Sequence, residues 1–215
     1  MDSIVDYYIE LKRREMEGYR IRTENEIHVT ELLECPLKRG FRQRYPFLVA
    51  PTLPPFMHGD LIHLGLQKVL EIYGKEKGIE VEIEKEVEKK FDVDGREVVL
   101  KGRCDAVLPD VVVEIKSALS DMSIPQTHHI EQLRIYMNIL GKRGMLVYIT
   151  PNRATEYFLD DPMGDEEIIE RIRKALNNEG TPRFAWECER CTFAWFCPKK
   201  RIKGQAPAEG KEEEK

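Results

Sequence analysis

The stretch from Gly102 to Lys116, GRCDAVLPDVVVEIK, restricts the fold more than any other, because it brackets an apolar run with two carboxylates and a lysine. Val111, Val112 and Val113, followed by Ile115, read as a strand covered on both faces. Pro109-Asp110 supplies the turn before it. A hairpin folding symmetrically about that turn pairs Leu108 with Val111, Val107 with Val112, Ala106 with Val113 and Asp105 with Glu114. Directly opposed residues share a face, with Cβ atoms about 4.5–5.5 Å apart. The two carboxylates would then stand side by side, at a distance suited to one shared divalent ion. Lys116 projects to the face of Glu114, and Ile115 points the other way into the core. Opposed like charges destabilise a sheet, and a cation between them relieves that repulsion. The plain alternative is a surface hairpin in which Lys116 merely neutralises Glu114. The buried character of the valine strand weighs against it, since charged groups ending such a strand point to function.

The flanking pattern supplies the rest of the fold. Residues 2–18 and 30–45 are predicted helical, the second starting at Thr30 as N-cap. Pro46, Pro51, Pro54 and Pro55 then interrupt the pattern ahead of a helix over Gly59 to Tyr73. From Ile79 the period falls to two, with Ile79, Val81, Ile83, Val87 and Phe91 alternating with charges. Asp94-Gly95 marks a hairpin turn, and a strand from Val98 to Val107 leads into the valine hairpin. A helix over Gln126 to Gly141, strands at Met145–Thr150 and Thr155–Leu159, and an amphipathic helix over Asp165–Asn178 complete the order. The expected class is α+β (mixed α/β), a central mixed sheet flanked by helices.

Net charge is −5, which excludes a globally basic nucleic-acid binder and leaves local basic patches open. No apolar run reaches the length of a membrane span. The first residues carry Asp2, Asp6 and Glu10 in place of a basic leader. A soluble, cytoplasmic protein is expected, with no membrane partner. In a reducing compartment the five cysteines read as metal ligands or buried thiols. Cys188-x2-Cys191-x5-Cys197 and the remote Cys35 form a one-plus-three set that zinc or an iron–sulfur cluster would accept. Joining them closes a loop of about 150 residues and ties the two ends around the core. Cys104, beside Asp105, reads as a small buried hydrophobe. The charged fraction of 34%, with only ten Asn and Gln together, matches the drift of thermophile proteins.

An Asp followed by Glu-x-Lys at the end of a hydrophobic strand resembles the core of the PD-(D/E)XK nucleases in its RecB-like exonuclease form. The resemblance implies that Asp105 and Glu114 bind Mg²⁺ or Mn²⁺, that the Ile115 carbonyl is a further ligand, and that Lys116 positions water and stabilises charge. Gly59 to His63 is similar to the glycine-spaced histidine of that class, which makes His63 a metal ligand and His58 its competitor. Gln132 and Tyr136, four residues apart on one helix face, match a motif whose side chains bond the DNA backbone or the active-site groups. The alternative for Tyr136 is ordinary packing with Leu133 and Leu140.

The cysteine split is similar to that of RecB-like nucleases with an iron–sulfur staple, and Val29 to Pro36 resembles the CRISPR-associated exonucleases among them. Leu37 and Lys38 stand where that family usually has an Arg, a mild departure. The implied cofactors are an iron–sulfur cluster on Cys35, Cys188, Cys191 and Cys197, 4Fe–4S ahead of 2Fe–2S, and Mg²⁺ or Mn²⁺. The implied activity is trimming of single-stranded DNA or DNA ends for spacer acquisition, alongside the CRISPR adaptation integrase proteins, with homo-oligomers known in the family. The expected division is 1–56 as a helical segment giving Cys35, 57–180 as the nuclease core, 181–203 as the cluster segment and 204–215 as a disordered acidic tail. Lys38, Arg39, Arg42, Arg44, Lys199, Lys200, Arg201 and Lys203 would converge on one basic surface. Phe193, Trp195 and Phe196 fit packing around the cluster ahead of stacking on a strand. The remaining alternatives are a stand-alone repair or viral nuclease, and a non-catalytic metal-cluster module that binds DNA.

Overall fold

The computed structural model describes residues 3–18, 23, 25–45, 48 and 54–201. The acidic tail expected over 204–215, Lys203, and the prolines Pro46 and Pro51 lie outside the described residues. The elements run α1 (Ile4–Gly18), β1 (Glu26–His28), α2 (Val29–Leu32), α3 (Leu37–Arg44), α4 (Pro54–Lys77), β2 (Glu82–Val93), β3 (Arg96–Val107), β4 (Val111–Ser117), α5 (Thr127–Leu140), β5 (Arg143–Ile149), β6 (Ala154–Leu159) and α6 (Asp165–Leu176), followed by a 3₁₀ turn at Ala185–Arg190. Among the described residues no helix is long and apolar enough to cross a membrane.

The expected mixed sheet with flanking helices is present, and its long hairpin and valine strand fall where the two-residue period places them. β2 pairs antiparallel with β3 from Glu82↔Val107 to Val93↔Arg96, turning at Asp94-Gly95. β4 pairs antiparallel with β3, and parallel with β5 across a helical crossover. β6 closes the far edge. Several boundaries differ from expectation. The helix foreseen over 30–45 is two, because Pro36 cannot continue α2 and instead precedes α3. Thr30 falls inside α2, and the Glu31 carboxylate accepts from the His28 amide at 2.9 Å to cap that helix. α4 starts at Pro54 and not Gly59, since proline is compatible with a first helical turn.

β1 was not foreseen, and it decides where a cleft can form. β2 occupies one edge of β3 along its length. The other edge is divided: β1 pairs in parallel at Val99 to Lys101, while β4 pairs only at Ala106 and Val107. Between them, Gly102 to Asp105 have no strand beside them on that edge. Two apolar clusters cover the faces. Leu133, Tyr136 and Met137 of α5 and Ile168 and Ile172 of α6 pack with Leu100, Cys104 and Val112 on one face. Ile62, Leu66 and Leu70 of α4 pack with Ala106, Val113 and Ile115 on the other. Helices from both faces therefore reach the gap in the sheet.

Candidate active site and cysteine cavity

The hairpin register expected from the turn holds at Ala106↔Val113 and Val107↔Val112 and then stops. Asp105 and Glu114 are not a ladder pair. The Asp105 side chain turns across instead, and its Oδ2 accepts from the Ile115 amide at 2.6 Å. The reason lies on both sides of Asp105. Its neighbour across β2, Glu84, has φ +53, and the ladder skips that position. An L-residue with a long side chain rarely adopts this backbone. Gln67 of α4 fills the breach, its Nε2 donating to Glu84 Oε1 at 2.5 Å and to the Asp105 carbonyl at 3.3 Å. Arg103 holds the other Glu84 oxygen at 2.7 Å.

Around this break lies a cleft of about 640 Å³ whose walls include His63, Asp105, Glu114, Lys116, Gln132 and Tyr136. Every side chain expected in the nuclease site thus lines one cavity, among others that include Tyr8, Asp60, Gln67, Glu84, Lys101 and Arg103. His63 Nδ1 lies 3.3 Å from Asp105 Oδ1. Lys116 Nζ lies 2.5 Å from Glu114 Oε1. That ion pair alone would suit the surface-hairpin alternative. Burial excludes it: Glu114 is 2% exposed, and its second oxygen, Oε2, is buried with no hydrogen-bond partner. His58 is exposed and lies outside the cleft lining.

Electrostatics follow from this geometry. Burial, with Asp105 nearby, pushes the Glu114 carboxyl up to about 7 against the pull of Lys116. Burial opposes the charge on His63, but the hydrogen bond and charge of Asp105 prevail and raise its pKa. Tyr136 is nearly fully buried, which holds its phenol protonated. Its O–H donates to the Arg103 carbonyl at 3.1 Å, a group left without a strand partner by the gap. Gln132 Nε2 donates to Tyr136 at 3.4 Å. Expected to contact DNA or the site, this pair is buried and bonded to the site's own backbone. Tyr136 also packs in the main core, as its plainer reading required.

Cys35, Cys188, Cys191 and Cys197 line one small cavity, together with Lys38, Phe41, Pro182 and Glu187. Three of the sulfurs are met by backbone N–H groups: Arg201 N on Cys188 Sγ at 3.4 Å, Leu37 on Cys35 and Phe193 on Cys191. Such donors stabilise thiolate, the form that binds metal. Burial nonetheless pushes Cys35 up to about 11, so its ionisation asks for a cation beside it. As the side chains stand, no group of three or more His, Cys, Asp or Glu among the described residues is gathered in a form that could hold a metal ion. Cys104 is fully buried in the core, as its apolar reading required. Phe41, Tyr45, Phe193 and Phe196 form an edge-to-face cluster beside the cysteines, and Trp195 stands edge-on at its margin.

Two groups here were not anticipated. Buried Glu187 accepts from the Cys35 amide at 2.7 Å and from the Phe184 amide at 2.9 Å, clamping the Cys35 segment to the turn that leads to the other cysteines. The basic surface expected after Cys35 is largely neutralised by neighbours: Lys38, Arg39 and Arg42 pair with Glu34, Glu187 and Glu31. Glu31 and Glu34 fall one helical turn or more from these cations, a signal that spacing alone could have supplied. Gln67 could likewise have been found, since it follows His63 by one turn.

No family model matches the chain. It is 34% identical over 197 residues, spanning 88% of this chain and 95% of the other, to a Saccharolobus solfataricus protein named CRISPR-associated exonuclease Cas4. It also superposes on the crystal structure of SSO0001 with a TM-score of 0.86 and 32% identity, covering 94% of this chain and all of that one.

Proposed function

This chain belongs to the family of the CRISPR-associated exonuclease Cas4, and from that premise we propose that it is a divalent-metal-dependent exonuclease that trims single-stranded DNA or DNA ends to prepare new spacers. The observation that carries the reading is Glu114: a carboxylate buried beside Asp105 and Lys116, with one oxygen left without a partner. A group so placed is held for a cation. Asp105, Glu114, His63 and the Ile115 carbonyl would hold Mg²⁺ or Mn²⁺. Such an ion supplies charge that binds and polarises a phosphodiester and lowers the pKa of water.

The chain's own groups do the rest. Lys116 places a fixed positive charge where phosphoryl oxygens gain negative charge. The Asp105 carboxylate, fixed on the Ile115 amide, keeps one oxygen directed at His63. Gln132 and Tyr136 keep the cleft wall in place, where Lys101 is paired with Glu26 and Arg103 with Glu84.

The four cysteines would carry an iron–sulfur cluster, 4Fe–4S ahead of 2Fe–2S, supported by their shared cavity and the N–H groups on the sulfurs. Its role would be to tie residues 1–56 to 181–203 around a core of 57–180. The setting would be cytoplasmic, with adaptation integrase proteins as partners.

Anaerobic purification with iron, sulfide and zinc analysis, a visible spectrum and a Mn²⁺-dependent digestion tests both halves. A broad band near about 400 nm with iron and sulfide, plus digestion of a single strand from its ends, is expected. A colourless, zinc-loaded protein that leaves DNA intact would make the chain a DNA-binding module instead.

A further inference from the structure

We propose that His128, Phe184 and Trp186 form a base-stacking step for the DNA strand, one helical turn beyond the catalytic cleft. The proposal rests on the nuclease reading above and names a contact for the bases outside that cleft.

The argument begins with α5. His128, Gln132 and Tyr136 recur every four residues and share one face of the helix. Gln132 and Tyr136 line the cleft. His128 continues their row towards the helix N-terminus, roughly 6 Å along the axis per four-residue step. There the row meets the chain returning to the cysteines. The His128 ring lies 5.7 Å from Trp186 and 5.9 Å from Phe184, and Trp186 stacks on Phe184 with centroids 5.6 Å apart and planes 12° from parallel. The Arg183 guanidinium lies 4.8 Å over Phe184.

Three properties suit this group to nucleobases. Trp186 keeps 49% of its surface open, whereas the large rings that serve packing, Tyr136 and Tyr148, are closed off entirely. Burial and the charges of Lys116 and Arg183 lower the pKa of His128, so its ring is neutral near pH 7. The row it shares with Gln132 and Tyr136 joins the step to the cleft that those two residues line. Aromatic faces grip single strands without regard to sequence, because every base has a π-face, while neighbouring cations meet the phosphates. Trp195 is more exposed but packs edge-on against Phe196 at 89°, without a parallel ring beneath it.

The test is fluorescence anisotropy with a labelled single-stranded oligonucleotide and an abasic one of the same length, without divalent cation, on the intact cluster-bearing chain. The unsubstituted protein should prefer the base-bearing strand. Trp186→Ala should weaken its binding about tenfold, Trp186→Phe should largely preserve it, and the abasic strand should bind all three proteins alike. Equal loss on both strands would overturn the proposal, because the substitution would then act through the fold. An unsubstituted protein indifferent to bases would overturn it too, while leaving the nuclease reading intact if the same preparation digests DNA with Mn²⁺. A protein that neither binds nor digests single strands would overturn both.

Discussion

Glu114 is a buried carboxylate in the cleft wall, with one oxygen on Lys116 and the other without a hydrogen-bond partner. Its pKa is raised from 4.5 to about 7 in the folded chain. Between those values the native state holds a proton that the unfolded state has released, so metal-free stability falls as pH rises through that window. The fall is on the order of 3 kcal/mol. Urea unfolding at about pH 5 and about pH 8 without divalent cation should show the difference, and Glu114→Gln should remove most of it. Mn²⁺ should restore stability at the higher pH. A second prediction concerns Gln67, whose amide bridges Glu84 and the Asp105 carbonyl. Gln67→Leu keeps the volume and deletes both bonds, and should lower Mn²⁺ affinity and digestion rate by about ten- to a hundredfold. Calorimetry and single-turnover digestion would read these separately. The shared side of Glu114 and Lys116 was legible because alternation along a strand fixes it. The opening at Glu84 and the turn of Asp105 onto Ile115 were not, because a residue of positive φ leaves no mark in a two-residue period.

At the scale of elements, the site depends on how closely α5 lies against the sheet. A Cβ on Gly144 of β5 would come 2.6 Å from Met137 Sδ and 2.9 Å from Leu133 Cδ2. Gly144→Ala therefore forces helix and sheet apart and should cost about 1–3 kcal/mol in chemical denaturation. A Cβ on Gly102 would come 2.5 Å from the Tyr136 ring, which bonds the exposed edge of β3 through the Arg103 carbonyl. α5 and β4 to β6 could be read from periodicity. β1 could not, since a strand of three residues, Glu26–His28, contains too little alternation to register. Yet its short pairing with β3 is what leaves Gly102 to Asp105 open beside the cleft.

Over the whole molecule, the segment around Cys35 meets the one that holds Cys188, Cys191 and Cys197, and Glu187 clamps them whether or not the sulfurs are bridged. On the proposed iron–sulfur reading, Cys35→Ser should abolish the cluster's visible band and, by releasing a closure of about 150 residues, lower stability on the order of 4 kcal/mol. Differential scanning calorimetry beside iron analysis would check it. The one-plus-three cysteine spacing made the gathering of these four side chains around one cavity readable; the clamp was not, because a buried carboxylate has no signature distinct from a solvated one. The central claim is that Asp105, Glu114, His63 and Lys116 are one nuclease site. Mn²⁺-dependent digestion of single-stranded DNA by Asp105→Ala protein, with its cluster absorbance matched to the unsubstituted chain, tests it most directly. Loss of digestion at full cluster content is the predicted result, and an Asp105→Ala protein that still degrades DNA at the unsubstituted rate would contradict the account.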